Sequence, residues 1–299
     1  KAFKKNVYKK PIILIVSKNL FIKQMKKLNF KFKINLIDKK NLNLRKLSNK
    51  KINIINIDFK FKKTFDKISD KSNYYIEECF NVALKLMKKN IGKGLINGPI
   101  SKKNFLKEKF LGITEYLAHK TNKDNKVAML IYNKKLSVCP ITTHLPLKLV
   151  SKNLSKNKII NQVKIITNFY RHKLNKEPRF VVTGLNPHCE SNYKSSEEKK
   201  ILIPAINFLV KNKYKIKGPF AADTVFMKEN SKNYDVVIGM YHDQVLSPIK
   251  TLFGFNAINI TLGLPFVRVS PDHGPNTKML GKNISNPKSL IEALKFFNK

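Results

Sequence analysis

Val236-Val237-Ile238-Gly239-Met240-Tyr241-His242-Asp243-Gln244 is a short apolar run that stops at an imidazole. Its length and its β-branched residues read as a buried strand over 235–241. His242 then stands at a helix start, with Lys250 two turns further on. A strand delivering a polar group at its carboxyl end and feeding a helix is the unit of α/β architecture, and in an open sheet that end is where ligands bind. Two other segments repeat the arrangement. Val138–Leu147 (V-C-P-I-T-T-H-L-P-L) ends near His144, and Phe180–His188 (F-V-V-T-G-L-N-P-H) ends at His188. The chain has six histidines, so half of them hold this one kind of position. Three neutral imidazoles converging on one point would make a divalent-metal site with room for a substrate oxygen. The plain alternative for any single one is a satisfied, partly buried histidine.

The rest of the chain agrees with α/β alternation. Strands are expected at 11–16, 34–38, 94–99, 179–185 and 256–262, and helices at 18–28, 73–90, 155–175, 196–212 and 287–297. Residues 126–132 and 136–142, split by Asn133-Lys134-Lys135, read as a hairpin. Ser195-Ser196-Glu197-Glu198 supplies cap oxygens and acidic first-turn residues to the helix that follows. Residues 39–72 are Lys/Asn-rich and carry no pattern that places them.

With 299 residues and 42% hydrophobic residues, the chain can build one large α/β domain or two sharing a cleft. No apolar run approaches the ~20 residues needed to span a bilayer, and no signal-peptide core is present. Cys79, Cys139 and Cys189 have no pairing pattern, which fits reduced thiols in a cytoplasmic protein. The chain begins at Lys1, as a processed protein or a fragment would. The net charge of +41 first suggests nucleic acid. Yet of 60 basic residues only Arg45, Arg171, Arg179 and Arg268 are arginine, the residue best suited to bidentate phosphate and guanine contacts. The lysines are spread along the chain with Asn and Ile, as an AT-rich coding sequence would spread them. Specific nucleic-acid binding is therefore not expected.

Five further segments bear chemistry. Asn97–Lys102 (N-G-P-I-S-K) is a tight turn from which Lys102 can reach an anion. Gly112–Leu117 (G-I-T-E-Y-L) puts Thr114 and Glu115 at a helix start, to cap it or to touch substrate. Gly218–Thr224 (G-P-F-A-A-D-T) brings Asp223 to a loop within reach of the histidines. In His242–Lys250, Asp243 adjoins an imidazole, and Lys250 can act as an acid/base or hold a carboxylate or phosphate. Asn259–Gly274 (N-I-T-L-G-L-P-F-V-R-V-S-P-D-H-G) is a polar, Gly/Pro-rich binding loop. There is no G-x-G-x-x-G and no Walker A lysine motif, so a Rossmann dinucleotide site is not expected.

In order and spacing these segments resemble the 4-hydroxythreonine-4-phosphate dehydrogenase (PdxA) family, from about residue 70 to the C-terminus and more loosely before it. The resemblance implies a two-domain α/β/α fold of the isocitrate and isopropylmalate dehydrogenase type, with a cleft between domains. Residues 1–105 plus 255–299 would form the cofactor-side domain, and 106–254 the domain with the metal histidines and dimer contacts. It implies a homodimer with a shared active site and a zinc, magnesium or cobalt ion on His144, His188 and His242. Substrate contacts would come from Thr114, Lys250, Asn259 and Arg268, with Lys102 as an anion-reaching candidate. NAD or NADP would meet Asp272, His273 and Gly274. Lys250, Asp243 and Asp223 are the candidate catalytic groups. The implied reaction oxidises 4-phosphohydroxy-L-threonine to a 3-oxo acid that loses CO2, in pyridoxal phosphate biosynthesis.

The chain departs from the family pattern in four places. The Gly/Pro-rich G-D-P-A-G-I-G-P-E segment is not in this sequence. Ile113 stands where the family has His. Cys189-Glu190-Ser191 replaces A-G-E, and S-P-D-H-G-P replaces S-V-D-H-G-T. Ile113 cannot donate to a phosphate or hydroxyl, which keeps a related substrate such as threonate 4-phosphate open. A basic nucleic-acid-binding protein is the reading from another class.

Overall fold

The computed structural model describes residues 1–39, 41–189 and 195–298. Glu190 and Ser191, named above as departures, lie outside them. The chain forms two compact units, Lys1–Lys107 with His273–Lys299, and Glu108–Asp272. Among the described residues no helix is long and apolar enough to cross a membrane.

The first unit begins with β1 (Ile13–Val16), α1 (Lys18–Lys27), β2 (Ile34–Leu36) and β3 (Ile52–Asn56). It continues with α2 (Asn73–Lys88), β4 (Leu95–Ile96) and α3 (Lys102–Leu106). β3 lies between β1 and β2 and pairs parallel with both. Ile54 and Ile55 are fully buried there, as a strand flanked on both sides requires. This strand sits inside the stretch 39–72 that carried no legible pattern, because five residues between lysine-rich flanks leave too short a period to read.

The second unit holds α4 (Ile113–Lys120), β5 (Ala128–Tyr132), β6 (Ser137–Thr142), α5 (Lys156–Leu174), β7 (Phe180–Thr183) and α6 (Ile203–Lys211). After these come β8 (Ile216–Phe220), α7 (Ala222–Val225), α8 (Lys228–Ser231), β9 (Val236–Tyr241), α9 (His242–Phe253), β10 (Ile258–Leu262) and β11 (Arg268–Pro271). A closing helix, α10 (Lys288–Phe296), belongs to the first unit. The second unit's strands run in the order β11-β10-β5-β6-β9-β7-β8. β6, β9, β7 and β8 are mutually parallel, whereas β5 pairs antiparallel with β6 and β10, and β10 with β11. The expected hairpin is the β5–β6 pair, and the sheet is mixed. The return to the first unit comes at His273 rather than at the expected residue 255, because β10 and β11 extend this sheet.

The core of the second unit is built by the strands' β-branched residues. Val138, Val181 and Val237 pack with Val245 and Ile249 of α9, all five with no exposed surface. Burying a Val or Ile side chain stabilises by about 1.5–3 kcal/mol, so a charge at Val237 would break the sheet–helix contact. α5 begins on Ser155, whose hydroxyl accepts from Lys158 N–H, and ends at Asn175 in the left-handed region. The helix expected over 196–212 is a π-turn at Glu198–Leu202 followed by α6. Pro204 has no N–H to continue an α-helical ladder from the preceding turn.

Candidate active site

The parallel order of β6, β9 and β7 sets the site. Three adjacent parallel strands end at one edge of the sheet, and each hands over a histidine. β6 and β9 are direct neighbours, and this brings His144 and His242 together with ring centroids 5.5 Å apart. Asp243 Oδ1 lies 2.7 Å from His242 Nδ1. A carboxylate on Nδ1 leaves Nε2 as the donor toward an ion, the usual outer partner of a metal-binding imidazole. With metal–nitrogen bonds of about 2.0–2.1 Å, two imidazoles on one tetrahedral ion have centroids roughly 5 Å apart, so this pair fits a shared ion.

The third histidine does not join them within the chain. Among the described residues no group of three His, Cys, Asp or Glu side chains could hold a metal ion. His188 lies five residues beyond the end of β7, exposed on a turn where it takes φ 57°. The strand order brings the turn to the right edge, and the extra residues carry the imidazole away from the pair. Asp223 also departs from expectation: it is exposed on α7, with no hydrogen bond or ion pair to a histidine among the described residues.

A second cluster gathers around Arg268, at the start of β11. Arg268 is 3% exposed, and its Nη1 donates to Thr261 Oγ1 at 2.9 Å. Thr261 Oγ1 lies 3.2 Å from Thr114 Oγ1, on the first turn of α4. The chain Arg268–Thr261–Thr114 therefore links β11, β10 and α4. Burial pulls the guanidinium down to about 10, with the Glu115 charge opposing the shift, so it stays protonated at neutral pH. Glu115 Oε1 accepts from Thr143 Oγ1 at 3.3 Å, next to His144. A side chain on Gly112 would meet Glu115 Oε2 at 2.8 Å and the His144 ring at 3.2 Å, so this glycine leaves room for both. Asn259, on β10, has a buried Oδ1 with no hydrogen-bond partner among the described residues. Lys250, on α9, reaches Asp272 at 3.7 Å.

Thr261 and Gln244 are the polar residues of this edge that the motif reading passes over. Gln244 Oε1 accepts from Met240 N–H at 2.7 Å and from Thr183 Oγ1 at 2.9 Å, while its Nε2 donates to Gly184 O at 2.7 Å. It ties the end of β7 to the end of β9. Its place two residues after His242 was the available signal.

Lys102, His273 and Gly274 belong to the first unit, where all three are exposed. A cavity of about 1480 Å³ also lies in that unit. Its lining is dominated by apolar side chains such as Phe21, Phe59, Phe80 and Ile15, with none of the polar groups gathered around His144 and Arg268, so we place the candidate site in the second unit.

Comparison with known proteins adds an independent line. Residues 8–297 match the family model described as pyridoxal phosphate biosynthetic protein PdxA. A 4-hydroxythreonine-4-phosphate dehydrogenase of Sulfurihydrogenibium is 38% identical over 247 residues, which is 81% of this chain and 74% of that one. One from Bradyrhizobium diazoefficiens is 37% identical over 69% of this chain and 61% of its own length. The crystal structure of 4-hydroxythreonine-4-phosphate dehydrogenase from Klebsiella pneumoniae superposes with a TM-score of 0.77 at 26% identity, covering 96% of this chain and 88% of that one. On the family match, the identity to these dehydrogenases and the shared fold, the chain belongs to the PdxA family of pyridoxal phosphate biosynthetic proteins.

Proposed function

We propose that this protein oxidises 4-phosphohydroxy-L-threonine with NAD to 2-amino-3-oxo-4-(phosphooxy)butanoate, which decarboxylates to 3-amino-2-oxopropyl phosphate on the way to pyridoxal phosphate. The observation that carries the reading is the meeting, in one unit, of an imidazole pair and a buried arginine in a threonine-lined cluster. The relatives' printed names point the same way.

On this reading His144 and His242 hold a divalent ion, zinc, magnesium or cobalt, and His188 of a second copy of the chain completes the set in a homodimer. When bound, the ion supplies Lewis-acid polarisation of the reacting hydroxyl. NAD or NADP, meeting Asp272, His273 and Gly274, supplies the two-electron acceptor. Arg268 holds the anionic end of the substrate with its guanidinium, which the bond from Nη1 to Thr261 keeps aligned. Thr114 adds a neutral hydrogen bond, and the open acceptor Asn259 Oδ1 takes a substrate donor. Lys250, with Asp272 beside it, moves the proton or grips the phosphate; Asp243 holds His242 in one tautomer. The 3-oxo acid loses CO2 readily because its ketone lies β to the carboxylate and accepts the electrons of the breaking bond.

The wider fold is, on the same reading, that of the isocitrate and isopropylmalate dehydrogenases. The protein would be cytoplasmic, in keeping with Cys79, Cys139 and Cys189, none of which is in a disulfide among the described residues. One observation favours a related substrate: Ile113 is 7% exposed at the start of α4 and offers no polar contact where the family has His. The test is NAD reduction by the full-length protein with a panel of phosphorylated hydroxy acids. Turnover of 4-phosphohydroxythreonine above threonate 4-phosphate supports the reading, and the reverse order replaces it with the second.

A further inference from the structure

Glu198 is a buried carboxylate that the proposed chemistry leaves unused. It is 2% exposed and opens the π-turn before α6. Its Oε1 accepts from the backbone N–H groups of Leu185 and Asn186, both at 2.9 Å, and its Oε2 accepts from Asn186 Nδ2 at 2.8 Å. Glu197 Oε2 accepts from the same amide at 3.0 Å, and Glu197 Oε1 accepts from the Ser151 hydroxyl. Burial alone would push the Glu198 carboxyl up, but these donors outweigh it and hold it below the ordinary carboxylate value. The group is therefore an anion at neutral pH, made to hold N–H donors.

What it holds is the turn that carries His188. Leu185 and Asn186 are the first residues after Gly184 at the end of β7, and Cys189 N–H closes back on Asn186 O at 3.1 Å. Between them the backbone enters the left-handed region twice in succession, at His188 (φ 57°) and Cys189 (φ 58°). Residues other than glycine rarely adopt that conformation, and it persists where surroundings over-determine it. Gly184 allows the turn to fold back, since a side chain there would strike Cys189 Sγ. Fixing the two N–H groups and the amide of Asn186 fixes the start of the turn, and the closing bond then sets where the His188 imidazole leaves it.

We infer that Glu198 is the positioning residue for His188, a buried carboxylate that sets the direction in which this imidazole is presented to the ion. The inference rests on the reading of His188 as the third ligand. It assigns Glu198 no contact with substrate or ion.

The test is calorimetric titration of cobalt(II) into the metal-free, full-length protein. Glu198→Asp keeps the charge but draws the carboxylate back, so it cannot span both backbone N–H groups and Asn186. It should lower ion affinity about tenfold or more, the range for groups that orient a metal ligand. Glu198→Gln keeps an oxygen for the two backbone donors but turns its Nε2 toward Asn186 Nδ2, so its loss should fall between those of the parent and Glu198→Asp. The discriminating measurement is the double variant. If Glu198 acts through His188, Glu198→Asp adds no further loss in a His188→Ala background. An Asp variant that binds like the parent, a Gln variant that loses as much as Asp, or an equal loss in both backgrounds overturns the inference. A parent protein that binds no cobalt(II) overturns the ion reading itself, and this inference with it.

Discussion

Replacing Arg268 with lysine isolates what the guanidinium does in the site. Lysine preserves the positive charge, so any loss measures geometry. Arg268 donates one N–H to Thr261 Oγ1 at 2.9 Å from a position 3% exposed, and Thr261 lies 3.2 Å from Thr114. A lysine ammonium is a point donor on an unbranched stem and cannot bond Thr261 while presenting two parallel N–H groups to an anion. The variant therefore loses one charge-assisted hydrogen bond, about 1.5–3 kcal/mol in a buried setting. At 1.4 kcal/mol per tenfold, that is a roughly 10- to 100-fold loss in substrate affinity. Steady-state NAD reduction measures it as a rise in KM for the phosphorylated substrate, with thermal unfolding run alongside to show that the fold persists. Unchanged kinetics in Arg268→Lys would remove Arg268 from the substrate site.

Three further outcomes follow from particular residues. Thr261→Val keeps shape and removes the hydroxyl between Arg268 and Thr114, so it should cost about 1–3 kcal/mol in substrate binding; an unchanged KM would show that the chain of hydroxyls does not steer the guanidinium. Asp235 is a 6%-exposed carboxylate; burial would raise its pKa, but hydrogen bonds from Arg179 and Lys176 outweigh it and hold the value below the ordinary 3.8. Its stabilisation is complete above that ordinary value and is lost as pH falls through the lower folded one. Both cations are half exposed, so Asp235→Asn should cost roughly 1–3 kcal/mol near neutral pH and less in acid well below the ordinary carboxylate range; denaturant titrations giving the same difference in both conditions would contradict this. The charge of +41 should give only weak, salt-sensitive DNA retention; tight binding to one sequence at physiological salt would favour the nucleic-acid reading.

Much of this arrangement was legible in the residues, and the illegible parts share a cause. Apolar runs ending in His144 and His242 announce strands that deliver an imidazole at their ends, and both imidazoles are found together at the expected edge. Periodicity shows where a strand stops, not which strand lies beside it. The adjacency of β6 and β9, which pairs those two imidazoles and leaves His188 apart, could not be read from the run lengths. Thr261 sits in a strand as an ordinary β-former, so its place between Arg268 and Thr114 is invisible until β10 and β11 are paired. Glu198 reads as a first-turn acid at a helix start, yet Pro204 pushes that turn into π geometry and the carboxylate serves the preceding loop. Asp223 follows a strand as expected, but α7 presents it to solvent, since sequence order gives no direction to a loop.

The most direct test of the account is NAD reduction with 4-phosphohydroxy-L-threonine by the full-length protein before and after chelation of divalent ions. The account predicts turnover that stops on chelation, returns with zinc, magnesium or cobalt, and does not return in His144→Ala or His242→Ala. Turnover that persists without any divalent ion, or that survives loss of both imidazoles, would contradict it.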